Sequence, residues 1–212
     1  MNDIIIRAHQ VGDLMTSPRN KSEVLSETAK AVLRMNAKQE VFGFKNQITS
    51  KYLEKGITHE HDSIELLNKV RIDNYTKHTG RESRMFLSGE CDILTDDTVI
   101  DIKTSWSWAT WPATPSEGYN KSYEWQLQAY MFLYDRPKAE LIYCMVETDR
   151  ELCKYEPAEL HQVGHIEPYR RIIVLKYERD WDAQEQLILR LEAAWNYYNE
   201  YKSDILMSKL DQ

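Results

Sequence analysis

Asp92, Asp101 and Lys103 are the residues best able to do chemistry. Asp92 closes the run Gly89-Glu90-Cys91-Asp92, and Asp101-Ile102-Lys103 begins nine residues later. Apolar residues flank both runs (Met85, Leu87; Ile93, Val99, Ile100), and Thr95-Asp96-Asp97-Thr98 has the composition of a turn. The pattern predicts one tight β-hairpin over roughly residues 84–105. With Asp96 and Asp97 as the loop, Ile93 pairs with Ile100 and Asp92 with Asp101. Directly opposed side chains lie about 5 Å apart, and like charges there repel. A cation between them would relieve that repulsion. Lys103, two residues past Asp101, projects from the same strand face. Hard oxygen ligands of this kind suit Mg²⁺ or Mn²⁺ better than zinc.

Further candidates lie on either side. Upstream, Gly56-Ile57-Thr58-His59-Glu60-His61-Asp62-Ser63-Ile64-Glu65 carries Glu60 early on a predicted helix, with Glu65 as second choice for the same role. His59 and His61 flank Glu60, but residues two apart on a helix point to nearly opposite faces, so they cannot chelate one ion together. Downstream, Gln126-Leu127-Gln128-Ala129-Tyr130 is also helical, and Gln126 and Tyr130 share a face. Trp106, Trp108 and Trp111 follow Lys103 and could stack on unpaired bases or simply pack down a loop. Arg7, Arg19 and Lys21 are candidates for holding a phosphate.

The elements that must position these residues follow from periodicity. Ser22 is expected to cap a helix over 22–38, with further helices over 39–53 and 57–77 separated at Gly56. After the hairpin come an irregular stretch over 106–123 and a short helix over 123–134. Strands over 139–147 and 171–178 follow. A capping box from Asp182 to Glu185 would open a long amphipathic helix bearing Leu187, Leu191, Trp195 and Tyr198. This order suggests an α/β core with helical additions. The 212 residues suit one domain: a helical N-terminal part over 1–55, a catalytic core over 56–180 and a C-terminal helix over 181–212. No run reaches the roughly 18 apolar residues of a membrane helix, and the N-terminus has no signal-peptide pattern. Three cysteines (Cys91, Cys144, Cys153) with no CxxC pair argue against a structural zinc or an iron–sulfur cluster, so a cytoplasmic location is expected. The net charge of −7 argues against a nucleic-acid partner at first sight. Residues 1–55, however, carry nine Lys or Arg against six Asp or Glu, and bound divalent ions invert the charge of an acidic site.

Gly-x-x-x-Glu, Gly-x-x-Asp, Asp-x-Lys and Gln-x-Gln, in this order, resemble the PD-(D/E)XK nuclease superfamily. Within it the chain is most similar to the phage lambda-type exonucleases, also called YqaJ-like viral recombinases. The run from Ile6-Arg7-Ala8-His9-Gln10-Val11 to Ser17-Pro18-Arg19 adds to the likeness, which covers roughly residues 6–135. The resemblance implies a restriction-endonuclease-like core, with a mixed central sheet flanked by helices and an N-terminal helical extension. It implies that Asp92, Asp101 and the Ile102 carbonyl ligate Mg²⁺ or Mn²⁺, with Glu60 completing the site directly or through water. It assigns Lys103 to the attacking water and the phosphorane charge, and Gln126 or Gln128 to supporting that lysine and the substrate. Cys91 stands in place of the motif's proline. Asp101 stands where the family more often has Glu, which leaves the number of metals open. Lys103 beside two carboxylates should stay protonated, favouring an electrostatic role over that of a base. The implied activity is hydrolysis of one strand of double-stranded DNA from a 5′ end, leaving 3′ overhangs for recombination. A homotrimer, a single-strand annealing partner and the cytoplasm of a bacterial or phage-infected host are implied with it. Arg7, Arg19, Trp106 and Trp108 would contact DNA. The alternatives are an endonuclease of the same superfamily and a non-catalytic DNA-binding assembly protein.

Overall fold

The computed structural model describes residues 4–44 and 50–210. In chain order the elements are β1 (Ile6–Arg7), α1 (Val11–Leu14), α2 (Glu27–Phe42), α3 (Lys51–Thr58), α4 (Glu60–Arg71), β2 (Glu82–Arg84), β3 (Leu87–Gly89), β4 (Ile93–Leu94) and β5 (Thr98–Thr104). There follow α5 (Pro115–Gly118), α6 (Lys121–Tyr134), β6 (Lys138–Cys144), β7 (Ile172–Glu178) and α7 (Trp181–Leu210). The architecture is mixed α/β, with two mixed sheets. One has strand order β1-β3-β2 and the other β4-β5-β6-β7. In the second, β5 and β6 run parallel while both edge pairings are antiparallel. A parallel pair needs a crossover, and α6 supplies it.

The expected single hairpin over 84–105 is two hairpins in two sheets. Arg84 pairs with Leu87 across Met85 and Phe86, both with positive φ (48° and 68°), the geometry of a tight two-residue turn. Bulky side chains disfavour that backbone. Here the Phe86 ring stacks on Trp195 of α7 at 4.1 Å, and the Phe86 carbonyl accepts from Ile5 and Ile6. The second hairpin follows the expected register, Leu94 with Val99 and Ile93 with Ile100. Asp96 and Asp97 form its loop.

Helix boundaries also differ from expectation. Ser26, not Ser22, caps α2: its Oγ accepts from Ala29 N at 3.0 Å, while Ser22 is engaged with Asn20. Gly43 (φ 69°) ends α2, and the predicted stretch over 39–53 lies partly outside the described residues. Gly56 falls inside α3 without interrupting it. The break comes at His59, whose buried ring is held by Asp62 (2.6 Å) and the Asp149 N–H (3.4 Å). Asp180, not Asp182, caps α7, its Oδ1 accepting from the N–H groups of Asp182 and Ala183.

Alternation along β5 decides what lies on each face of the four-stranded sheet. Val99 joins the larger core with Leu127, Met131 and Leu141, whereas Ile100 and Ile102 join Ile64, Leu67 and Ile142 beneath α4. Asp101 and Lys103 therefore look toward α6. The larger core continues through α2 and α7, where Leu33, Ala37, Leu187, Leu191 and Ala194 are fully buried.

Candidate active site

Asp92 and Asp101 do not oppose each other inside the ladder as expected. Paired residues stop at Ile93 and Ile100, and the Asp92 N–H donates to the Ile100 carbonyl at 3.2 Å. The chain thereby leaves the strand at Asp92, and its carboxylate turns onto β5, where Oδ2 accepts from the Ile102 N–H at 2.5 Å. This backbone N–H would otherwise be an unpaired donor beside the sheet. Burial raises the Asp92 carboxyl well above the usual range, and the negative charges of Asp101 and Glu60 add to that. The Ile102 N–H and Lys103 pull the other way. A carboxyl held up by its neighbours' charge has much to gain from a cation.

Asp101 is buried, and Lys103 Nζ lies 2.7 Å from its Oδ2. Burial works to lower the lysine, but the attraction of Asp101 outweighs it and leaves Lys103 raised, hence an ammonium. Three further groups fix that ammonium. The Tyr123 ring lies 4.5 Å away, in cation–π range. Gln126 Oε1 is 3.5 Å away, and Gln126 Nε2 donates both to Asp101 Oδ1 (3.2 Å) and to the Tyr130 hydroxyl (3.0 Å). Only one orientation of the amide satisfies all three contacts. Burial first, and then the charge of Asp101, push the Tyr130 phenol up, so it remains a neutral hydroxyl.

Glu60 stands at the start of α4, near enough for its charge to act on Asp92, and its carboxylate is paired with Lys77. Among the described residues no three acidic, His or Cys side chains converge as a ready-made cation cage. The donor chemistry still fits a hard divalent ion. Asp101 Oδ2 is buried without a well-directed hydrogen bond, and Asp92 is destabilised as an anion.

Other expected site residues lie elsewhere. Gln128 points away from Lys103. Its Nε2 donates to the Glu178 carbonyl and its Oε1 accepts from the Asp180 N–H, so it joins α6 to the turn between β7 and α7. Two residues along a helix change face, which is why Gln126 and Gln128 cannot share one task. Trp106 is buried and cannot stack on a base. Its indole N–H donates to Glu156, its ring packs between Tyr52 and His161, and its carbonyl receives Lys55, Thr148 and His161. Trp108 remains exposed. Glu65 is exposed beside His61, away from the role held in reserve for it. Arg19 is exposed on the connector between α1 and α2, while Arg7 is exposed on β1, where its charge acts on His9. Three residues carried no usable sequence signal for the site. They are Lys77, Arg81 and His9, the last known only as part of the N-terminal run. Burial lowers His9, and the charges of Arg7, Lys103 and Arg81 lower it further, which places all four in one neighbourhood.

No protein-family model and no curated protein matches the sequence. Solved structures do. A phage-related exonuclease from Haemophilus somnus 129PT superposes with a TM-score of 0.89 at 28% identity, over 96% of this chain and 97% of that one. LHK-Exo, an alkaline exonuclease from Laribacter hongkongensis, superposes at 0.71 with 16% identity, over 97% and 93%. The same enzyme in complex with dAMP also gives 0.71, at 15% identity. Motif order in the sequence and a fold shared along nearly the whole chain agree, and both liken this protein to the lambda-type exonucleases of the PD-(D/E)XK superfamily.

Proposed function

We propose that this protein is a Mg²⁺- or Mn²⁺-dependent exonuclease that hydrolyses one strand of double-stranded DNA from a 5′ end and leaves 3′ single strands. One observation supports this above the others. Lys103 is held as an ammonium against Asp101, beside an anion-strained Asp92, on the fold of a phage-related exonuclease. Asp92, Asp101, the Ile102 carbonyl and Glu60 would hold the divalent ion. Such an ion, when bound, lowers the pKa of water and neutralises non-bridging phosphate oxygens. Lys103 adds positive charge where the pentavalent phosphorus gathers negative charge, and its fixed position means little reorganisation during reaction. Gln126 orients both Asp101 and Lys103, and Tyr130 fixes the orientation of Gln126. Arg7, His9 and Arg81 form the adjoining surface for phosphates, and exposed Trp108 is placed to stack on a freed base.

The whole chain serves as one nuclease domain, with 1–55 as its helical N-terminal part, 56–180 as its catalytic core and 181–212 as its C-terminal helix. A homotrimer working with a single-strand annealing protein in the cytoplasm completes the reading. No helix of the described residues is long and apolar enough to cross a membrane. The deciding assay supplies linear duplex labelled at either end and covalently closed circular duplex, with and without Mg²⁺. The exonuclease reading expects Mg²⁺-dependent loss of the 5′ label from linear DNA and intact circles. Cut circles would establish an endonuclease instead. No cleavage with either Mg²⁺ or Mn²⁺ would leave a non-catalytic DNA-binding protein.

A further inference from the structure

Two lysines enter the acidic site, and they are built differently. Lys103 is enclosed by Asp101, Gln126 and Tyr123. Lys77 is half exposed and, among the described residues, pairs with Glu60 alone, with the charges of Asp92 and Glu90 also reaching it. Its backbone is nonetheless well held. Asn68 of α4 brackets Tyr75, donating to its carbonyl at 2.9 Å and accepting from its N–H at 2.7 Å. The His78 N–H donates to the Asp92 carbonyl at 2.7 Å. The chain between α4 and β2 is thus pinned on both sides of Lys77, one anchor being Asp92 itself. What stays mobile is the four-carbon stem, which ends in a compact, strongly hydrated charge.

Asp92 and Asp101 adjoin, but Glu60 gives its oxygen to Lys77, and no group of three converges among the described residues. Lys77 already neutralises Glu60, so a divalent ion that recruits this carboxylate competes with the ammonium for its charge. We propose that Lys77 is a built-in counter-cation for Glu60, which competes with the divalent metal and, once displaced, turns its charge to a DNA phosphate. The role rests on the metal site proposed above. Lys77 keeps Glu60 compensated before metal arrives and adds a phosphate contact only afterwards, coupling metal loading to substrate binding.

The test is calorimetric titration of the DNA-free protein with MnCl₂, comparing wild type with Lys77→Gln, each checked for an unchanged thermal midpoint. Removing an exposed competitor of this kind should tighten Mn²⁺ binding about two- to fivefold. In a Glu60→Gln background the same substitution should change nothing, because its partner is gone. The second readout is the salt dependence of binding to a phosphorothioate duplex that resists cleavage. Lys77→Gln should lower the slope of log Kd against log salt by about one when Mn²⁺ is present and leave it unchanged without metal. Unchanged or weaker Mn²⁺ binding in Lys77→Gln overturns the counter-cation role, as does an effect that persists without Glu60. An equal slope change with and without metal overturns the transfer to phosphate. Asp101→Asn separates this from failure of the site itself: if that variant binds Mn²⁺ like wild type, the metal site is wrong and this proposal falls with it.

Discussion

Asp101 does two things, pairing with Lys103 and, by its charge, helping to hold the Asp92 carboxyl up, and the two roles separate by substitution. Lys103→Ala is expected to lower turnover by about 10²-fold or more, the scale of losing one preorganised charge donor. It should keep Mn²⁺ binding, because in the proposed mechanism the lysine serves the phosphate and is not a metal ligand. Loss of Mn²⁺ binding by calorimetry would show that the lysine instead builds the metal site. The raised Asp92 carboxyl gives a pH prediction. A carboxyl with an elevated pKa takes up its proton at higher pH than an ordinary aspartate, and a proton excludes the metal. Mn²⁺ affinity should therefore begin to fall on acidification before ordinary carboxylates protonate. An affinity that stays flat until they do would refute the strained Asp92. The side chains of this centre were legible in the sequence because strand alternation puts Asp101 and Lys103 on one face. The exit of Asp92 from the ladder was not, because it depends on an unpaired N–H at Ile102.

At the scale of elements, Lys55 ties α3 to the chain just beyond β5 and β6. Lys55 is fully buried, and its ammonium donates to the carbonyls of Trp106 and Val146 at 3.0 Å each, with no carboxylate paired to it among the described residues. Burial lowers this lysine from 10.5 to about 8. Between those values the unfolded chain holds more protons than the folded one, so unfolding free energy rises with pH across that window. Each unit of such a shift is worth about 1.4 kcal/mol. The urea midpoint of wild type relative to Lys55→Met should climb from pH 8 to pH 10, and a constant difference would mean that the lysine is not desolvated. The same junction separates two tryptophans. Trp106→Ala should destabilise the fold by about 3–5 kcal/mol, since the ring is packed on all sides. Trp108→Ala should leave stability within about 0.5 kcal/mol. It should weaken binding to frayed DNA ends by about 1–3 kcal/mol. Equal effects of the two on thermal midpoint would contradict the division. Sequence spacing could not assign them, because both lie in an irregular segment where no period tells inside from outside.

For the whole molecule, the N- and C-terminal helices share one core with the strand that carries the candidate site. Leu33 and Ala37 of α2 and Leu187, Leu191 and Ala194 of α7 lie in the same core as Val99 and Leu127, which back the site. Phe86 in the first hairpin stacks on Trp195 of α7. A chain truncated before Trp181 should thus lose the cooperative thermal transition as well as cleavage, rather than yield a smaller enzyme. A truncated protein that melts cooperatively would make 181–212 separable from the domain. The two-sheet arrangement belongs to this scale too. Residues 84–105 look like one hairpin along the chain, yet β3 takes β1, from the N-terminus, as its parallel neighbour.

By itself the sequence determined the local order: the candidate carboxylates and lysine, the register of Ile93 with Ile100, the helix carrying Gln126 and Tyr130, and through their succession a likeness to the lambda-type exonucleases. These depend on alternation and on contacts a few residues apart, which composition encodes directly. Only the tertiary structure decided that Gln128 faces β7 and α7, that Trp106 is an anchor, and that Lys77 and Lys55 take charge-bearing posts. Each of those depends on which distant backbone group is left unpaired, or which distant charge is left uncompensated, once the elements have packed.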